Sequence, residues 1–431
     1  KQTFLKKELE KKEHKIEKIE KVRILDSYEL PARKISVEDF VKCFRDRYNF
    51  LKNCLQIRSL EALSSIGKLP NQKKNVSVIG LVHDIKTTKN KNILVELEDL
   101  TGSVRVMISR NKPELFEKAQ SLVLDEVVAV SGVGSREIIF ANDIVFPDIT
   151  KEKKLSPKEE YAAFTADIHV GSVKFLEQNF LKFIKWLNCE TGSEEQKEMA
   201  KKVKYLFIVG DTVDGVGIYP GQESELKIKD VKEQYKALAQ YLREIRKDIN
   251  IIICPGHHDA VRPIEPQPKI PKDFAPDLYE MKNVFLTTNP SLVRIGQTKN
   301  FEGIDVMMYH GDSLDYYANN VDSLRLSNAK QSPDMIIHFL LKKRHLAPSH
   351  TSTTYYPSEK DYLLLRTIPD VFVSAHIHKS AVSYYNNILT ISCSCWQEKT
   401  DYQEKFGHEP DPCKVPILNL KTGKVSIIDF S

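Results

Sequence analysis

Apolar positions recur with two different periods along this chain, and the change of period divides it. In residues 1–25 a thin helical stripe of Leu5, Leu9, Ile16, Ile19 and Val22 runs through dense charge, the pattern of a charged helix or frayed tail. Residues 36–57 read as a firmer helix. Ser36 can cap it, Glu38 lies in its first turn, and Phe40, Val41, Phe44, Tyr48 and Leu51 share one face. A polar stretch, 70–75, follows. From 75 to 148 the period drops to two: Val76, Val78 and Leu81 open one run, Ile93, Val95 and Leu97 alternate, and Val104, Val106 and Ile108 do so after the Thr101-Gly102 turn. A short helix fits Pro113 to Ser121, with proline in its first turn, and runs at 126–131 and 137–146 complete the stretch. Three strands, a helix and two strands match a five-stranded OB barrel.

Residues 149–160 are charged, contain Pro157 and read as a linker. Beyond 161, short apolar runs alternate with helical patterns, clearest at 174–188 and 224–247, so this part reads as an α/β or sandwiched-sheet domain. The expected organisation is a charged tail and helical segment over 1–70, an all-β OB-fold domain over 71–150 and the α/β domain over 151–431.

Composition narrows the class. At 41% hydrophobic residues the chain can build a core, which excludes wholesale disorder. No apolar run reaches the roughly 18 residues of a membrane-spanning helix, and no secretory signal pattern opens the chain. Because residue 1 is Lys1, the chain reads as a fragment lacking an upstream part. The net charge is +5, but nine basic and five acidic residues in 1–25 account for +4 of it, so charge alone is weak evidence for nucleic acid. The cluster Lys342, Lys343 and Arg344 is the local candidate for DNA-backbone contacts. Seven cysteines without a CxxC pair suit a reducing cytoplasm, and Cys393, Cys395 and Cys413 read as buried packing rather than a metal site. The barrel carries only Phe116, Phe140 and Phe146 as aromatics, few for base stacking, so a structural or protein-contact barrel is expected.

The chemistry is concentrated where the apolar runs of the last part end. Tyr161-Ala-Ala-Phe-Thr leads to Asp167 and His169, and Tyr205-Leu-Phe-Ile-Val to Asp211 and Asp214. Ile251-Ile-Ile-Cys-Pro leads to His257, His258 and Asp259. Val306-Met-Met-Tyr leads to His310 and Asp312, and Val371-Phe-Val-Ser-Ala to His376 and His378. Six of the twelve histidines lie in these five turns. Ligands bind beyond the carboxyl ends of strands in open α/β sheets, so these groups are expected to converge on metal. Mixed imidazole and carboxylate suits manganese, iron, zinc or cobalt better than magnesium or calcium. The donors are too many for one tetrahedral ion, so two are expected, able to lower the pKa of a shared water toward about 7 and to clamp an attacked phosphate.

The ordered set Asp167-x-His169, Gly210-Asp211-x-x-Asp214, Gly256-x-His258-Asp259, His310-Gly311 and Ala375-His376-Ile377-His378 resembles the calcineurin-like metallophosphoesterases. The preceding barrel, with IYPGQESELKI at 218–228 and FLLKKRHLAPSH at 339–350, narrows the resemblance to the small subunits of archaeal D-family DNA polymerases, over residues 75–431. The resemblance implies a calcineurin-like β-sandwich flanked by helices behind an OB barrel. It implies two divalent cations, manganese first, with iron, zinc or magnesium as the other options. One would be held by Asp167, His169 and His378, with Asp211 bridging to a second held by His310, His376 and the residue after Gly256. His258, the catalytic partner of Asp211, would lie beside the phosphate, stabilising the transition state or protonating the leaving 3′-oxygen, while Asp214 and Asp259 orient imidazoles from behind. One position departs from the family, which has Asn where this chain has His257; His257 can still ligate, with a different reach.

The implied activity is a proofreading 3′–5′ exonuclease acting on a DNA 3′ end. The implied partners are a separate large polymerase subunit, in a heterodimer or larger assembly, and a sliding clamp, in the archaeal cytoplasm at the nucleoid with no membrane. The competing readings are a catalytically silent scaffold and a generic metallophosphatase. Weaker candidates are Tyr219, Tyr316, Tyr355 and Tyr356 for stacking on a terminal base, the loop of Gly215, Gly217, Pro220 and Gly221 for shaping the cleft, and the barrel and residues 415–430 for docking the large subunit.

Overall fold

The computed structural model describes residues 21–400, 403–404 and 409–431. Most of the tail expected over 1–25 lies outside the described residues, and its end departs from the helical expectation. Val22–Ser27 (β1) is a strand, paired antiparallel with Ser291–Ile295. A strand at a sheet edge presents unpaired N–H and C=O groups; here that edge recruits Val22–Ser27, a pairing invisible to a helical stripe. Val37–Gln56 (α1) follows, and Asp39 accepts from the Ser36 backbone N–H at 2.8 Å, completing a capping box.

The barrel comprises Lys74–Thr87 (β2), Ile93–Asp99 (β3), Gly102–Ile108 (β4), the helix Pro113–Gln120 (α2), Val127–Gly134 (β5) and Ile138–Val145 (β6). It closes in the order β2-β3-β4-β6-β5. The two-residue alternation sends Val95, Leu97, Val104 and Val106 into its interior, while Leu81, Val127 and Ala129 on its outside pack under Tyr48, Leu51 and Leu55 of α1.

The remaining chain builds two packed six-stranded sheets. Its elements are Tyr161–Thr165 (β7), Glu177–Leu187 (α3), Glu194–Lys202 (α4), Val203–Val209 (β8), Val231–Glu244 (α5), Asn250–Cys254 (β9), Pro276–Glu280 (α6), Val284–Leu286 (β10), Ser291–Ile295 (β11), Ile304–Met308 (β12), Asp312–Asn320 (α7), Asp322–Leu326 (α8), Asp334–Lys343 (α9), Val371–Ser374 (β13), Ala381–Tyr385 (β14), Ile388–Ser392 (β15), Lys414–Asn419 (β16) and Val425–Asp429 (β17). The sheets run β1-β11-β12-β13-β15-β14 and β10-β9-β8-β7-β16-β17. Phe164, Phe207, Ile252, Val306, Val373 and Ile391 fill the space between them. Helices α3 and α5 cover the outer face of one sheet, α7 and α9 that of the other. Strands buried on both faces read as continuous apolar runs, which is why β7, β8, β9, β12 and β13 stand out in the sequence.

The seam between barrel and sandwich is a set of buried charges. Arg47 of α1, only 1% exposed, donates to Asp361 at 2.7 Å and to the Pro348 carbonyl, and His345 meets the same carboxylate at 2.9 Å. Lys343, at the end of α9, is likewise 1% exposed. It donates to Glu126 at the barrel's rim and to the Ser121 carbonyl, and its ammonium lies 4.0 Å from the Phe146 ring centroid. Lys343 is therefore not a DNA contact: its charge is spent on a carboxylate 217 residues away. Lys342 is half-buried over the same ring, and Arg344 is half-buried with its guanidinium on the Leu365 carbonyl.

Candidate metal centre

Every candidate ligand sits on a turn leaving a buried strand, and these turns are sharp. Asp167, His169, Asp211, His376 and His378 all have positive φ, between 47° and 70°. Side chains other than glycine, Asn and Asp rarely adopt that region, and such strain gathers at functional sites. The turns are tied to each other through the backbone, with Asp167 N–H donating to the Gly210 carbonyl at 3.0 Å and His169 N–H to the Asp211 carbonyl at 3.1 Å. Gly210 is required: a Cβ there would lie 2.3 Å from His310 Nδ1.

The turns bring the expected ligands together in adjoining groups. Asp167, His169 and His378 form one; Asp211, His257, His310 and His376 form another; His169, Asp214 and His258 form a third, the donor atoms of each group lying within 4.8 Å of one another. Among the described residues no such group contains a cysteine, and Cys393, Cys395 and Cys413 are buried free thiols.

Contacts behind the ligands set their orientation. His310 Nδ1 faces the Val209 carbonyl at 2.9 Å, which turns Nε2 toward Asp211 Oδ2 at 3.2 Å. His169 Nδ1 is held by Asp214 at 3.0 Å, and Asp214 is itself held by Gln222 and Gln397. His378 Nδ1 meets Gln403 at 3.0 Å. His258 Nδ1 meets the Asp214 carbonyl at 2.7 Å, and its backbone N–H donates to Asp211 Oδ1 at 2.8 Å. Asp259 differs from its expected role, for it orients no imidazole. It accepts from the Gly256 backbone N–H, the Thr212 hydroxyl and Tyr235, and so locks two ligand turns together.

The electrostatics follow from burial and proximity. Burial alone would raise the Asp211 carboxyl, but His310, His258 and His169 hold it well below the usual carboxylate range. Burial likewise opposes charge on His310, yet Asp211 and Asp167 push it up to about 10. Burial pulls His258 down to about 4, and burial together with the charge of Asp211 raises Asp259 to about 6. Among the described residues, four ring nitrogens of this cluster, His169 Nε2, both nitrogens of His257 and His310 Nε2, are buried without a hydrogen-bond partner. A buried polar atom left unpaired is costly, and converging imidazole nitrogens and carboxylate oxygens are donors a divalent cation would satisfy.

Sequence reasoning left several contributors without a role. Asp312 and Asp315 reach His257 and His376, at 2.9 and 3.2 Å. Gln397 reaches Asp214 from 183 residues away and Gln403 reaches His378 from 25, whereas Gln222 lies only eight residues beyond Asp214. Among the tyrosines, Tyr219 has its ring 6.4 Å from that of His258. Tyr355 is buried against Phe40 and His350, and Tyr356 is buried with its hydroxyl on the Pro31 carbonyl; neither is free to stack on a base. Tyr316 packs edge-on against Tyr317.

A two-sheet sandwich carrying such a cluster behind an OB barrel defines a class, and comparison with known proteins gives it a family. Residues 162–382 match the family of B-type subunits of DNA polymerases alpha and epsilon, and residues 76–137 match the OB-fold nucleic acid binding domain. The chain is 39% identical over 399 residues to the DNA polymerase II small subunit of Methanothermobacter thermautotrophicus, covering 92% of this chain and 80% of that one. It is 37% identical over 392 residues to that of Methanocaldococcus jannaschii and 36% over 406 residues to that of Pyrococcus furiosus, covering 89% and 92% of this chain and 64% of each relative. The chain belongs to the family of archaeal DNA polymerase II small subunits.

Proposed function

We propose that this chain is the 3′–5′ exonuclease of a D-family replicative polymerase and removes nucleotides from a DNA 3′ end. The observation that carries the reading is the convergence of Asp167, His169, Asp211, His257, His310, His376 and His378, with ring nitrogens left unpaired in the cluster. Asp167, His169 and His378 would hold one divalent cation and His257, His310 and His376 another, with Asp211 serving both. Manganese is the first choice, and iron, zinc or magnesium the others. Bound there, such cations activate water near neutral pH and neutralise charge on the attacked phosphodiester.

The chain's own groups do the rest. His258 is anchored through Nδ1 on the Asp214 carbonyl, which leaves Nε2 to donate a proton to the departing 3′-oxygen. Burial keeps that ring neutral until a phosphate's negative charge arrives. Asp214 fixes the His169 ring, and Asp259 keeps the turns bearing Asp211 and His257 in register. Nucleotide addition would belong to a large catalytic subunit, docked against the barrel or β16 and β17, with a sliding clamp as a further partner; the working compartment would be the archaeal cytoplasm at the nucleoid. A ligand set that departs from the family only at His257 argues against a silent scaffold, and the barrel against a generic phosphatase.

The test is a DNA strand labelled at its 5′ end, incubated with the chain and Mn²⁺. Stepwise shortening is expected from the native protein, and none from Asp211→Asn. An intact strand, in a preparation that demonstrably holds two ions, rejects the reading.

A further inference from the structure

The two groups of ligands are chemically unequal, and one helix accounts for part of the difference. The first group offers one carboxylate and two imidazoles, whereas the second offers the Asp211 carboxylate and three imidazoles, His257, His310 and His376. Behind the second group stands the first turn of α7. Asp312 and Asp315 are three residues apart there, hence on one face, and the helix N-terminus favours their negative charge. Asp312 Oδ1 lies 2.9 Å from His257 Nε2, and Asp315 Oδ2 lies 3.2 Å from His376 Nε2. Asp312 is held from behind by Thr353, whose hydroxyl also meets the buried Glu265 at 3.2 Å. Both ring nitrogens of His257 are buried and neither makes a hydrogen bond among the described residues; Nε2 is the one that stands beside the Asp312 carboxylate, which leaves Nδ1 to face a cation.

We infer that Asp312 is a positioning residue that holds His257 as the third imidazole of the second site, and that this nitrogen-rich site selects a borderline cation such as Zn²⁺, Fe²⁺ or Co²⁺ over Mg²⁺, while the more oxygen-rich first site discriminates less. The inference rests on the two-cation reading above. Imidazole donors favour those cations and carboxylates favour Mg²⁺ and Mn²⁺. A carboxylate on the far nitrogen of a ligating histidine fixes the ring and raises its basicity. His257 thus replaces a neutral amide oxygen with a buttressed nitrogen, and the site changes preference rather than failing.

The experiment uses the full chain, stripped with a chelator and titrated with Co²⁺, Zn²⁺, Mn²⁺ and Mg²⁺ by calorimetry, with the visible absorption of Co²⁺ reporting the ligand field. Two Co²⁺ are expected to bind. Asp312→Asn should weaken only one of them, about 10- to 100-fold, while Asp312→Glu largely restores it. His257→Asn should narrow the Co²⁺-over-Mg²⁺ preference at that same site. Far-ultraviolet circular dichroism confirms that each variant is folded. Native-like Co²⁺ affinities and spectra in both Asp312→Asn and His257→Asn overturn the inference, even if DNA is hydrolysed. Two unequal sites that respond as described uphold it even if DNA stays intact, in which case the nuclease reading alone falls. A native chain that binds no ion overturns both.

Discussion

Glu265 is a buried carboxyl whose protonation should be visible as a pH-dependent loss of stability. It is fully buried, its neighbours are the hydroxyls of Tyr309 and Thr353 and the amide of Asn289, and it forms no ion pair among the described residues. Burial first, and the charge of Asp312 second, raise it from its ordinary 4.5 to about 8. The folded chain therefore keeps a proton that the unfolded chain has released across that interval. Stability from this group is complete below pH 4.5 and is lost as pH rises through about 8. Each tenfold change in proton affinity is about 1.4 kcal/mol, so the loss has an upper bound of roughly 5 kcal/mol. Glu265→Gln stays neutral at every pH and keeps an acceptor for Tyr309 and Thr353. Unfolding by urea, with chelator present, should give native and variant curves that run close together at pH 4.5 and separate by a few kcal/mol at pH 9, the variant being the more stable. Native and Glu265→Gln stabilities that change in parallel between those pH values refute the reasoning.

The remaining predictions concern the seam and the centre. Lys343→Met leaves Glu126 buried without its cation and should destabilise the chain by about 3–5 kcal/mol. It should leave unchanged the slope of DNA affinity against salt, which a filter-binding series at several salt concentrations measures. Divalent ions must displace the proton that Asp211 and Asp167 favour on His310 in the metal-free chain. Manganese affinity at neutral pH should therefore rise about tenfold per pH unit for each proton displaced, and calorimetry in buffers of different ionisation enthalpy should register the release.

The sequence by itself determined the barrel, the strands of the sandwich that carry the candidate centre, and which acids and histidines converge there. These are legible because their causes are local: two-residue alternation builds a closed barrel, a doubly buried strand is an apolar run, and Asp or His placed just past such a run can only lie at a sheet's carboxyl edge. Tertiary structure decided the rest. β1 is a strand because β11 has an open edge some 270 residues away in the chain, and nothing in its own residues says so. Lys342, Lys343 and Arg344 look like a solvated basic helix end, yet Lys343 is buried because Glu126 on the barrel waits for it. A charge pattern is the same whether it faces water or a partner, and only the folded chain supplies the partner. Asp312 and Asp315 gain their roles in the same way, since one helical turn aims them at imidazoles delivered by two other strands.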